Sequence, residues 1–91
     1  MENLIFEKGE VRKFEYSVRT SPSTDTLVVT SATWKLLGCK GEVISSGVCD
    51  ISGTNISMLV SLQKTGTFTL EVTAIVPPET IIDRTLLRVV E

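Results

Sequence analysis

The sequence contains no histidine. The commonest general base, the commonest transition-metal ligand and the usual pH switch are therefore missing together. Cysteine is scarce as well: Cys39 and Cys49 stand ten positions apart. Two thiols at that spacing, without other ligands, do not make a zinc site. Aromatic residues are few, namely Phe6, Phe14, Tyr16, Trp34 and Phe68. With so few, each is expected to serve packing. There is no excess of positive charge. The formal net charge is −2 and the pI is about 5.1, with no basic stripe, so binding to nucleic acid or to an anionic membrane has no electrostatic support. The longest apolar runs fall far short of a helical membrane span. The opening "MENLIFEKGE" carries acids where the basic region of a secretion signal would stand. The expectation is cytoplasmic synthesis with reduced thiols, Cys39 and Cys49 occupying sheet positions rather than forming a bridge.

What remains is short and ordinary. Ninety-one residues, 42% apolar and 22% charged, fit one globular domain over residues 1–91. No segment shows a 3.6-residue period with a cap. Short runs of period 2 recur instead, punctuated by Gly, Pro, Ser and Asn. They are expected over Asn3–Phe6, Val11–Arg19, Val28–Leu37, Glu42–Ser46, Val48–Ile51, Ile56–Leu62, Thr65–Val76 and Ile81–Val90. "TSPSTDT" (Thr20–Thr26) reads as a loop.

The alternation assigns faces. Phe14, Tyr16 and Val18 share one side of the second run, and Val11 is out of phase with them, which predicts a bulge near Arg12. Val28, Ala32, Trp34 and Leu36 are expected to point inward, as are Ile56, Met58, Val60 and Leu62. In "TGTFTLEVTAIV", Phe68, Leu70, Val72, Ala74 and Val76 point one way. Pro77–Pro78 then ends the strand, because proline cannot donate to a ladder. Large apolar residues out of phase with these faces are Leu27, Val29, Leu37, Leu59, Ile75 and Leu87. Several exposed together would form a patch that a partner subunit covers.

Seven or eight short strands at intervals of about ten residues predict an all-β, immunoglobulin-like β-sandwich of about seven antiparallel strands. A sandwich of other topology stays open. Trp34 falls on the strand expected to hold the core indole, and Gly66 with Phe68 open the strand expected to hold the corner aromatic. Phe68 lacks the hydroxyl of the usual tyrosine, so only the packing role survives there. Neither cysteine falls where the inter-sheet disulfide of antibody domains would be.

Candidates for chemistry are thin. Asp25, Asp50, Glu79 and Asp83 are scattered over separate segments, whereas calcium needs six to eight converging oxygens. Ser45–Ser46 before Gly47 has no base to activate it and no strand-to-helix turn. Cys39, between Gly38 and Lys40, reads as a bystander thiol, with a reactive one as its functional alternative. "NIS" at Asn55 matches a glycosylation acceptor but lacks a secretory context. "VPPET" (Val76–Thr80) reads as a stiff turn, with a contact loop as its functional alternative. No catalytic, cofactor-binding or metal-binding residue is assigned, and no cofactor is expected.

Three stretches carry a resemblance: "SATWKLLG", then "SGVCDISGTNISMLVSLQKTGTFTLEVTAIV", then "RTLLRVVE". Together, from Ser31 to the C-terminus, they resemble the small immunoglobulin-like virion proteins of tailed bacteriophages and prophages, with their a-t-W strand, G-x-Y-x-l-x-V strand and R-x-x-x-l-x-V close. The resemblance implies a head, tail or fibre adaptor or decoration protein with no catalytic residues. Its partners would be other virion or assembly proteins, or further copies of itself, met through a sheet edge and loop ends. The chain would pass from the cytoplasm into the virion. The alternative is a carbohydrate- or surface-binding immunoglobulin-like module of a bacterial protein, which needs an aromatic platform on an exposed face.

Overall fold

A computed structural model describes residues 3–18 and 28–91. Among them the chain forms eight strands: β1 (Asn3–Glu7), β2 (Val11–Ser17), β3 (Ser31–Leu37), β4 (Val43–Val48), β5 (Asp50–Ser52), β6 (Asn55–Ser61), β7 (Gly66–Val76) and β8 (Glu79–Val90). Five of them make one sheet in the order β1-β8-β7-β3-β4, and three make a second in the order β2-β6-β5. The two sheets pack face to face as a sandwich. All pairings are antiparallel except β1 with β8, which run parallel from Asn3↔Leu86 to Glu7↔Val90. A purely antiparallel set was expected. The first strand instead closes the edge that β8, the last, would otherwise leave open.

Period 2 governs the core. In β7, Phe68, Leu70, Val72, Ala74 and Val76 are all buried, and the intervening residues are more open. In β6 and just beyond it, Ile56, Met58, Val60 and Leu62 face them from the opposite sheet. Phe14 and Val18 add to that side, and Ala32 and Leu36 add to the other. Phe6 on β1 meets Phe14 on β2 edge to face across the sandwich, ring centres 5.7 Å apart. The Arg12 guanidinium caps Phe6 at 5.0 Å. A second tie between the sheets is polar: the Tyr16 hydroxyl and Thr85 Oγ1 lie 3.0 Å apart.

Glycine is required in turns where φ is positive. Gly41 (φ +84°) and Gly53 (φ +63°) sit in the left-handed region, in the β3–β4 and β5–β6 turns. Pro77–Pro78, joined by a cis peptide, forms the two-residue link between β7 and β8, flanked by the pair Val76↔Glu79. The β7–β8 hairpin, of eleven- and twelve-residue strands, is the longest pairing in the structure.

Several face assignments differ from expectation. No bulge lies near Arg12: the β2–β6 ladder runs unbroken from Val11↔Ser61 to Ser17↔Asn55. Val11 obeys the alternation and points into solvent at 58% exposure. The irregularity falls instead between Leu36 and Leu37, opposite Val43–Ser45. Val28 is exposed and Val29 is buried, the reverse of the expected order. The cause is that β3 begins only at Ser31, so the residues before it are not bound to its phase. Thr30 there bonds Ile75 through both its backbone N–H (2.9 Å) and its hydroxyl (3.1 Å). Leu87, expected outside, is wholly buried opposite Phe68, and Leu37 is half-buried. Leu59 and Ile75 do remain exposed. Arg19, the loop Thr20–Thr26 with Asp25, and Leu27 lie outside the described residues.

Candidate protein-binding edge

A sandwich presents four sheet edges, and unpaired N–H and C=O groups along an edge invite another strand. Three of the four are guarded. Strand β2 carries Arg12, Lys13 and Glu15. Strand β5 is only three residues long and begins at Asp50. Strand β1 has five residues and ends on Glu7. Strand β4, "VISSGV", is different: it has six residues, no charge and no proline, and its one irregularity, at Val43–Ser45, leaves Ser45–Val48 in regular register with β3. Val43, Ile44 and Val48 on it are exposed, Val48 at 80%.

The polar groups that face outward from β4 follow from its pairing. Cys49 N–H donates to the Ala32 carbonyl at 2.9 Å, so that position points its backbone groups at β3. Backbone direction alternates along an antiparallel strand. Gly47 and Ser45 therefore also bond toward β3, and Ser46 and Val48 turn their N–H and C=O groups toward solvent.

Beneath this edge the sandwich is open. Strand β5 pairs only with Asn55–Ser57, so among the described residues the far half of β6 has no strand on its β5 side. Between that half of β6 and β4 lies a cleft of about 340 Å³. Its apolar walls are Trp34, Leu36, Ile44, Leu59, Leu62 and Phe68, and Ser45, Ser61, Gln63 and Lys64 line the rest of it. Gln63 Nε2 donates to Ser61 Oγ at 2.5 Å. Lys64 forms no ion pair with a described residue.

Trp34 lies on the inward side of β3 as expected, packed against the core, yet only partly buried because the cleft opens onto it. Its indole extends over Gly47 on the neighbouring strand. Phe68 fills the corner position and is buried.

The remaining sequence candidates do not converge. Cys39 is exposed in the β3–β4 turn, and Cys49 is buried where β4 passes into β5; both are free thiols. Burial, with the Asp50 carboxylate beside it, pushes the Cys49 thiol above its ordinary pKa. Asp50 lies on β5, and Glu79 and Asp83 lie on β8. Among the described residues no three His, Cys, Asp or Glu side chains gather as a metal site. Ser45 faces the cleft and Ser46 faces away from the core. Asn55 opens β6 with its Oδ1 accepting from Ser17 Oγ at 2.8 Å. The sequence left open which sheet edge would make a contact. The signal for β4, a run from Val43 to Val48 without charge or proline, does not stand out in the sequence, since longer uncharged runs such as Ile51–Gln63 lie in the same chain.

No family model matches the chain, and no curated protein matches it. Among solved structures it is similar to CopC from Methylosinus trichosporium OB3b, with a TM-score of 0.65 and 6% identity, over 96% of this chain and 82% of that one. At that identity the likeness bears on architecture alone. Together with the two packed sheets it makes the chain an immunoglobulin-like β-sandwich.

Proposed function

We propose that this protein is a non-catalytic assembly component, and that it holds a neighbouring protein against the β4 edge and the cleft beneath it. The observation that carries this reading is the unguarded edge: an uncharged strand with exposed Val43, Ile44 and Val48 beside an apolar cleft. A monomer that left such an edge uncovered would be prone to aggregation. The resemblance of Ser31–Glu91 to small virion proteins of tailed phages and prophages gives the setting: a head, tail or fibre adaptor or decoration protein. The test is mass spectrometry of particles purified after prophage induction in a bacterium that encodes the chain. The reading expects the chain at a fixed ratio to the major structural proteins. Intact particles without it would reject the virion role.

The partly open indole of Trp34 favours one second reading, a carbohydrate-binding module with Trp34 as its stacking face. That reading expects oligosaccharides to shift Trp34 emission saturably, and the assembly reading expects no such shift.

A further inference from the structure

We propose that the occupant of this edge is an extended segment of another protein, added as a sixth strand beside β4. Two of its large apolar side chains, two residues apart, would fill the cleft. The inference rests on the assembly reading and names the chemistry of its partner.

Three observations carry it. First, the backbone is prepared: Ser46 and Val48 turn N–H and C=O groups outward, and no charge interrupts Val43–Val48. An extended chain can satisfy those groups by main-chain bonding whatever its sequence. Second, the cleft lies directly under the position a sixth strand would take, bounded by Ile44 and Ser45 on β4 and by Leu59 and Ser61 on β6. A cavity of about 150 Å³ accepts a benzene-sized group. At about 340 Å³ this one holds two large side chains. Inward-facing residues of one strand recur every two positions, about 7 Å apart, so neighbours on the same face reach the cleft together.

Third, a second copy of this chain fits poorly. Paired through its own β4, it would offer Ser45 and Gly47 on the inward face, too small to fill the space. Charge adds a feature of the partner without separating it from a second copy, whose β4 is itself flanked by Glu42 and Asp50; the size of the inward side chains makes that distinction. Lys64 stands at the cleft without a described acidic partner. A carboxylate flanking the two apolar residues, from a side chain or a chain terminus, would complement it. The partner segment is therefore uncharged across its middle, apolar at alternate positions, and acidic at one flank.

The experiment is selection of a random ten-residue peptide display library against the full chain, with synthetic copies of the selected peptides titrated by Trp34 fluorescence. The expected peptides share two large apolar residues two apart and an acidic flank. They should shift Trp34 emission to shorter wavelength, because they exclude water from the cleft. Ser46→Pro removes one outward N–H and leaves the β3 ladder intact. It should weaken binding at least tenfold without loss of cooperative thermal unfolding, and Lys64→Gln should weaken it several-fold. An independent check on the edge is Ile44→Lys, expected to abolish binding.

Several results would overturn the proposal: no enrichment, enriched peptides without the two-residue spacing, or binding that leaves Trp34 emission unmoved. A Ser46→Pro-sensitive dimer in sedimentation would overturn it in favour of a second copy. Peptides that bind away from Trp34 would reject strand addition while leaving a protein-contact role standing. Particles that lack the chain would reject the virion role and leave strand addition standing.

Discussion

A methyl group on Gly47 would sit 2.8 Å from Nε1 of Trp34. The two residues are direct cross-strand partners on β4 and β3. The indole thus lies where a side chain on its neighbour would otherwise be, and glycine is what permits it. Any larger residue at 47 must push the ring into the cleft or off its rotamer. Gly47→Val is expected to cost about 1–3 kcal/mol. It should also shift Trp34 emission to longer wavelength as the ring moves toward water. Urea unfolding followed by fluorescence measures both, and a stability within error of the parent would show that the ring moves freely.

The core is centred on β7. Leu70 is fully buried between its partners Leu36 and Thr85 and faces the second sheet. Leu70→Ala should cost about 2–5 kcal/mol, a large share of the roughly 5–10 kcal/mol expected for a domain this small. Leu59, 66% exposed on β6, is the matched control: Leu59→Ala should stay within about 0.5 kcal/mol. Denaturant midpoints at constant m-value decide between them.

The hydroxyl missing from Phe68 has a counterpart elsewhere. Tyr16 Oη and Thr85 Oγ1, at 3.0 Å, link the three-stranded sheet to the five-stranded one in a partly buried position. Tyr16→Phe keeps the ring and removes the link, and should cost about 0.5–1.5 kcal/mol. Combined with Thr85→Val in a double-mutant cycle, it should show coupling of the same order. Strict additivity would mean that the contact contributes nothing.

The two thiols should behave differently. Cys39 is open to solvent and Cys49 is buried, so Ellman's reagent should modify one thiol at once and the other only as the fold opens. Burial, then Asp50, raises the Cys49 pKa. In the unfolded chain this thiol ionises near its ordinary value, and in the folded chain it holds its proton to higher pH. The unfolded state therefore binds fewer protons in that interval, and stability falls as pH rises. The contribution of Cys49 is complete below the unfolded pKa and is lost as pH climbs through the folded one. Cys49→Ala should flatten the decline of stability at alkaline pH, from the ordinary thiol pKa upward. An unchanged slope would assign the decline to other groups.

How much of this was legible depended on whether a strand's two faces differ. Strands β6 and β7 set large apolar residues against small or polar ones, so their inner faces followed from alternation alone. Strand β8 carries the doublets Ile81–Ile82, Leu86–Leu87 and Val89–Val90. A doublet fits either phase, and the pairing with β7, not the pattern, buries Leu87. The doublet Val28–Val29 misled for the same reason. The parallel partnership of β1 with β8 leaves no local mark in either segment. The cleft was not readable at all. It arises from the mismatch between a five-stranded and a three-stranded sheet, a property of the assembled sandwich and of no single stretch.

The parallel seam between β1 and β8 also orders events in time. Phe6 and Val89 face each other across it, yet they stand near opposite ends of the sequence. On a growing chain, β1 leaves the ribosome well before β8 and cannot make this pairing until β8 follows. Closing that seam encloses nearly the whole chain in one loop, an entropic charge met only after the intervening hairpins have shortened the path. The seam is thus expected to close late, with β1 as the clasp on a sandwich whose local hairpins are already made.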